Sequence, residues 1–218
     1  MKNLSRIFIL SLCLLSLSSA CQAAWIWSAD LGMWINPKYA AKDTPDQQYD
    51  WAMQFYKDKN WDRAIEEFEK LPAAFPNSRL AAEGVYFVGL SLEEKGDIAK
   101  AADAYQKLID RYPYSDRIKD AIKKEFEIAG RFAQGEKIKV AGIPTFSGRD
   151  KAIELYTHVV KNAPFGSYGD QAQFQIGEVH KNIGFYEEAQ KAYQAVVDEY
   201  PNSDLVTKAR YQIAYVSM

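Results

Sequence analysis

The feature that most restricts this chain is its recurring punctuation: Phe75-Pro76-Asn77-Ser78, Tyr112-Pro113-Tyr114-Ser115, Ala163-Pro164-Phe165-Gly166-Ser167 and Tyr200-Pro201-Asn202-Ser203. The prolines are spaced 37, 51 and 37 residues apart, so near-equal units carry one insertion of 14 residues. Proline steers the residue before it away from helical geometry, and Ser or Asn after it can cap the next helix, so each mark is a helix–helix boundary. Other positions keep step with the prolines. Alanine lies twelve residues before each one, as Ala64, Ala101, Ala152 and Ala189, and an aromatic lies eight before, as Phe68, Tyr105, Tyr156 and Tyr193. A small residue recurs twenty-four before as Ala52, Gly89 and Gly177, and a turn glycine seventeen before as Gly96 and Gly184, with Asn60 near the corresponding place in the first unit. Antiparallel helices approach closely only where one offers Gly or Ala, and the aromatic then fills the space between neighbouring units.

These offsets of small, small, aromatic and proline resemble the tetratricopeptide repeat (TPR) over residues 47–218. The resemblance implies an all-α fold, a superhelical solenoid of antiparallel helix pairs with about four and a half repeats and an insertion near 135–148 in the third. Helices are expected near 47–58, 61–74, 79–95, 98–112, 116–134, 149–163, 168–183, 186–200 and 204–217. The ninth has no second helix, so it is either a terminal cap or the start of a pair that continues past Met218.

The N-terminus has a different character. Lys2 and Arg6 precede the apolar run Ile7–Leu15, and Ser18-Ser19-Ala20 supplies small residues, which reads residues 1–20 as a signal peptide for export. Cys21 follows at once, and the arrangement resembles a bacterial lipoprotein box in which that thiol is lipidated, with Ser18 standing where leucine is usual. Cleavage after Ala20, Ala23 or Ala24 without lipid is the other reading. Residues 21–46 form a Trp-rich linker or N-terminal cap. Trp34 is expected to cap the first repeat, while Trp25 and Trp27 would lie close to a bilayer if Cys21 is lipidated.

The repeat region carries no sign of chemistry. Cys13 and Cys21 are the only cysteines and both lie at the start, so the body has neither disulfide nor thiolate metal site. His158 and His180 are the only histidines, each inside an expected helix, and are read as packed or exposed side chains rather than ligands. No phosphate loop, nucleophile elbow or zinc-helix motif occurs, so neither catalysis nor a cofactor nor a small-molecule substrate is expected. The formal charge is -2, from 27 basic and 29 acidic residues, and becomes about -4 without Lys2 and Arg6, which offers no footprint for nucleic acid.

The export signal with its cysteine, the long units ending in Tyr-Pro-x-Ser or Phe-Pro-x-Ser, the insertion in the third unit, and Ala163-Pro164-Phe165-Gly166-Ser167-Tyr168 together resemble the BamD family of outer-membrane lipoproteins, which help to assemble β-barrel proteins. The resemblance implies a lipid-anchored protein on the periplasmic face of the outer membrane. Its partners would be the β-barrel assembly machinery, met mainly through the C-terminal repeats, and unfolded outer-membrane proteins, met near the N-terminal ones. A soluble periplasmic TPR adaptor of another envelope system, Tol–Pal or cell-wall machinery, is the alternative. The Tol–Pal adaptor carries a heptad segment before its repeats, and residues 25–46 show none.

In a solenoid of this kind the first helix of each unit lines the concave face. Counting twenty-seven residues back from the prolines gives Tyr49, Tyr86 and Phe174; four further along lie Met53, Leu90 and Glu178, and three beyond those Tyr56, Glu93 and Lys181. These nine are the expected peptide-binding residues, aromatic and apolar toward the N-terminal end and charged toward the C-terminal end. The rings of Tyr49 and Tyr86 could instead stack against the next unit. The insertion, residues 135–148, is either a loop folded back over adjacent helices or an apolar docking edge.

Overall fold

The computed structural model describes residues 26–28, 33–35, 40–140 and 143–218, and divides into one unit up to Ala40 and another from Ala41 to Met218. The expected signal peptide, residues 1–20, and Cys13, Cys21 and Trp25 lie outside the described residues.

Within the first unit, β1 (Ile26–Ser28) and β2 (Met33–Ile35) pair antiparallel with Trp27 opposite Trp34. The two indoles meet edge-on at 5.7 Å and both are more than half exposed.

The second unit is helical. In chain order it holds α1 (Pro45–Lys57), α2 (Trp61–Ala74), α3 (Arg79–Lys95), α4 (Ile98–Arg111) and α5 (Ile118–Ala133), then the antiparallel hairpin β3 (Lys137–Val140) and β4 (Ile143–Ser147). After it come α6 (Arg149–Asn162), α7 (Gly169–Asn182), α8 (Tyr186–Glu199) and α9 (Val206–Val216). Each helix packs on the next in sequence, with α1 also touching α3, and α4 also touching α6.

The proline corners are one structure built four times. The N–H two residues after the proline donates to the carbonyl just before it, from Ser78 to Phe75, Ser115 to Tyr112, Gly166 to Ala163 and Ser203 to Tyr200, at 2.9–3.0 Å. At three corners the serine hydroxyl also accepts from the N–H two residues on, at Leu80, Arg117 and Leu205, so side chain and backbone turn the chain together. The first helix starts at Pro45 rather than 47, because Thr44 caps it by accepting from the Gln47 N–H. The turn after each first helix needs a left-handed residue, met by Gly96 and Gly184 at φ 87 and 85. In the first unit Lys59, not Asn60, fills that place at φ 57; Asn60 caps α2 instead.

The small and aromatic positions pack as their chemistry requires. A Cβ on Gly89 would lie 2.5 Å from Cε1 of Tyr105, and one on Gly177 the same distance from Cε1 of Tyr193. Ala52, Phe68, Ala101, Tyr105, Ala189 and Tyr193 have no exposed surface. One apolar core runs from Ala52 to Ala192, and a second gathers Phe174, Tyr193, Val196 and Ala209 at the C-terminal end.

Candidate functional site

The first helices, α1, α3, α5, α7 and α9, form one face on which side chains meet directly from one unit to the next. Two register positions touch: the residue seventeen after a unit's leading proline, and the residue eleven after the next proline. In the second and third units these are Glu93 and Lys124, an ion pair at 3.1 Å. In the fourth unit and α9 they are Lys181 and Gln212, hydrogen-bonded at 3.2 Å. The corresponding residues of the first pair are Tyr56 and Phe87, ring on ring at 5.1 Å. The same seam thus changes along the array from an aromatic pair to an ion pair to a lysine–amide hydrogen bond.

Second-helix tyrosines reach through to this face. The Tyr105 hydroxyl donates to Oε1 of Glu93 at 2.6 Å, and the Tyr193 hydroxyl to Oε1 of Glu178 at 2.7 Å. Burial, reinforced by the neighbouring carboxylate, holds both phenols far above the ordinary range, so they remain donors at any physiological pH. Lys124 and Lys181 neutralise the two glutamates.

Of the nine expected residues, Met53, Tyr56, Leu90, Glu93, Glu178 and Lys181 are partly exposed on this face, and the last three are held in the pairs just given. Tyr49 is half-buried, edge-on to Phe68 and Phe87 at 5.9 Å each. Tyr86 and Phe174 correct the expectation: they are 8% and 1% exposed and belong to the packing between units. The following unit lays a cation over each ring, Arg117 just before α5 at 4.9 Å above Tyr86 and Lys208 of α9 at 4.6 Å above Phe174. Arg117 is itself anchored by Glu83 at 2.9 Å.

Both histidines are structural in their surroundings. His158 on α6 presents Nδ1 to Oε2 of Glu125 at 2.9 Å and Nε2 to Oδ1 of Asp110 at 3.2 Å, bridging α4, α5 and α6. The bond to Glu125 raises the His158 pKa against the opposing effect of burial, while burial raises that of Glu125, which has no exposed surface. His180 packs near Phe185 at 6.4 Å. Among the described residues no group of three His, Cys, Asp or Glu side chains is placed to hold a metal ion, and no helix is long and apolar enough to cross a membrane.

The insertion is a β-hairpin, not an irregular loop. Ile138 packs against the core, and β3 meets α4, so this part folds back over the preceding unit. The alternation Lys137-Ile138-Lys139-Val140 ahead of Gly142 carried the strand signal.

Family models for the tetratricopeptide repeat match residues 49–116 and 171–203. The array is a tetratricopeptide-repeat solenoid. Tetratricopeptide repeats, as a class, are protein-binding modules. The heat shock protein sti1 homolog of Schizosaccharomyces pombe is 33% identical over 116 residues, 49% of this chain, and the chain spans 19% of that relative's length. Among solved structures, MamA 41-end from Desulfovibrio magneticus RS-1 aligns over 81% of this chain and 85% of its own at 16% identity and a TM-score of 0.41. A Podospora anserina putative kinesin light chain with nearly identical TPR-like repeats aligns over 80% and 87% at 13% identity and a TM-score of 0.39.

Proposed function

We propose that this chain is a non-enzymatic scaffold in outer-membrane β-barrel assembly, exported, lipidated at Cys21 and held on the periplasmic face of the outer membrane. The observation that carries the reading is the seam of Met53, Tyr56, Phe87 and Leu90, partly exposed apolar side chains of α1 and α3 on the first-helix face. Rings and thioethers offer large contact area with few rotors to freeze, which suits extended segments with alternating aromatic residues, as the ends of unfolded barrel strands are. The export-type N-terminus and the four Pro-centred corners support the same placement.

The test is affinity capture from envelope extracts with wild-type protein and with Met53→Glu plus Leu90→Glu. The reading requires that the barrel-forming assembly protein is recovered with the wild type and lost with the variant. Recovery of Tol–Pal components or cell-wall enzymes in its place transfers the scaffold to that system. Intact mass of the membrane-extracted protein tests the anchor: a mature chain beginning at Cys21, Ala24 or Trp25 without added lipid removes it.

A further inference from the structure

The three tyrosines that stand eight residues before Pro113, Pro164 and Pro201 do not behave alike. Tyr105 and Tyr193 cross the helix of their own unit at Gly89 and Gly177 and donate to glutamates. Tyr156, the member from the third unit, is 2% exposed, and its hydroxyl has no hydrogen-bond partner among the described residues. The cause lies in the register. Thirteen residues after the leading proline, where the second and fourth units have Gly89 and Gly177, the third has Phe126, whose ring packs edge-on to Tyr156 at 5.4 Å. The Tyr156 ring cannot cross there.

Its hydroxyl ends one turn further on, at Gly130. A Cβ built on Gly130 would meet only that hydroxyl, at 3.5 Å, and nothing else within 4 Å. Gly130 holds the register of Glu93 in the second unit and of Lys181 in the fourth. The position that elsewhere supplies the acceptor, or its balancing cation, here supplies no side chain. Glu127 holds the register of Glu178, but its carboxylate is half exposed and lies 3.8 Å from Lys123.

We propose that Tyr156 and the gap over Gly130 form a subsite for a glutamate side chain of a partner segment lying along the first-helix face. This deepens the scaffold reading and rests on it. The hydroxyl borders the open space over Gly130 with no acceptor among the described residues, and an ionised acceptor makes the stronger hydrogen bond to it. The chain itself shows which acceptor fits: twice, at Tyr105 and Tyr193, the hydroxyl in this position takes a glutamate oxygen at 2.6–2.7 Å. In the third unit the glutamate would come from outside.

The experiment titrates a terminally blocked peptide, one Glu between two aromatic residues, and its Gln counterpart, into the full chain and follows binding by NMR. The wild type should prefer the Glu peptide by about ten-fold, the scale of one charge-assisted hydrogen bond. Tyr156→Phe removes the donor, and Gly130→Leu closes the approach; each should abolish the preference, weakening the Glu peptide more than the Gln peptide. Circular dichroism confirms that each variant folds. A preference that survives in both variants overturns the subsite. So does equal binding of the two peptides to the wild type, although the face would then still bind segments. Failure of both peptides to bind overturns the subsite and the peptide-binding face together.

Discussion

The Tyr105 hydroxyl donates to Oε1 of Glu93 at 2.6 Å, tying the second helix of one repeat to the outward face of its first. The Tyr193–Glu178 contact repeats the bond at 2.7 Å in the last complete unit. Removing either hydroxyl leaves the carboxylate with its lysine and opens no large cavity. Tyr105→Phe and Tyr193→Phe should each destabilise the fold by about 1.5–3 kcal/mol, the range for a hydrogen bond to a charged group. Urea unfolding followed by circular dichroism measures this, and the two effects should add, because the sites share no partner.

Gly177 has no room for a methyl group against Tyr193. Alanine would gain about 1 kcal/mol of helix propensity but force an overpacked contact costing about 1–3 kcal/mol. Gly177→Ala should therefore be neutral to destabilising, and Gly177→Val clearly destabilising. Gly130→Ala, where the methyl meets only the Tyr156 hydroxyl at 3.5 Å, should be stabilising. Melting temperatures of the three variants, compared side by side, decide it.

The His158 bridge makes stability depend on pH. Its pKa in the folded protein is raised above the ordinary 6.5, so the stabilisation is fully present below about pH 6.5 and is lost as pH rises through the folded value. Glu125, raised above 4.5 by burial, acts in the same direction at lower pH, since the folded state holds its proton more tightly. The urea midpoint should fall between pH 6 and pH 9 in the wild type and fall less in His158→Gln. An unchanged slope in that variant would assign the pH dependence to other groups.

Tyr86 and Leu90 separate packing from recognition. Tyr86 lies between Tyr105 and Arg117, and Tyr86→Ala should cost about 3 kcal/mol or more through the cavity it leaves. Leu90 is half-buried, and Leu90→Ala should cost less while weakening partner capture more. Thermal melts paired with capture yields test both halves of the expectation.

The repeat frame was legible because glycine, alanine and proline act through sterics that any context obeys: Gly89, Gly177 and the four prolines mean the same thing wherever they stand. Helix ends came within a few residues for the same reason. The binding face was harder to read. Spacing put Tyr86 and Phe174 on the first helices, but their burial depends on Arg117 and Lys208, which arrive from the following unit and lie 31 and 34 residues away in sequence. The Tyr156 gap was hidden for a related reason, since the insertion displaced Gly130 and Phe126 from the register counted back from Pro164.

The hairpin at β3 and β4 has a consequence for how the array opens. A one-dimensional stack is held only by contacts between neighbouring units, so it can come apart at any joint. Where β3 meets α4 and Ile138 joins the core, the second and third units gain a fastening beyond their helix contacts. Fraying that begins at either end should therefore stall at that junction, giving an otherwise serial chain of repeats a rivet near its middle.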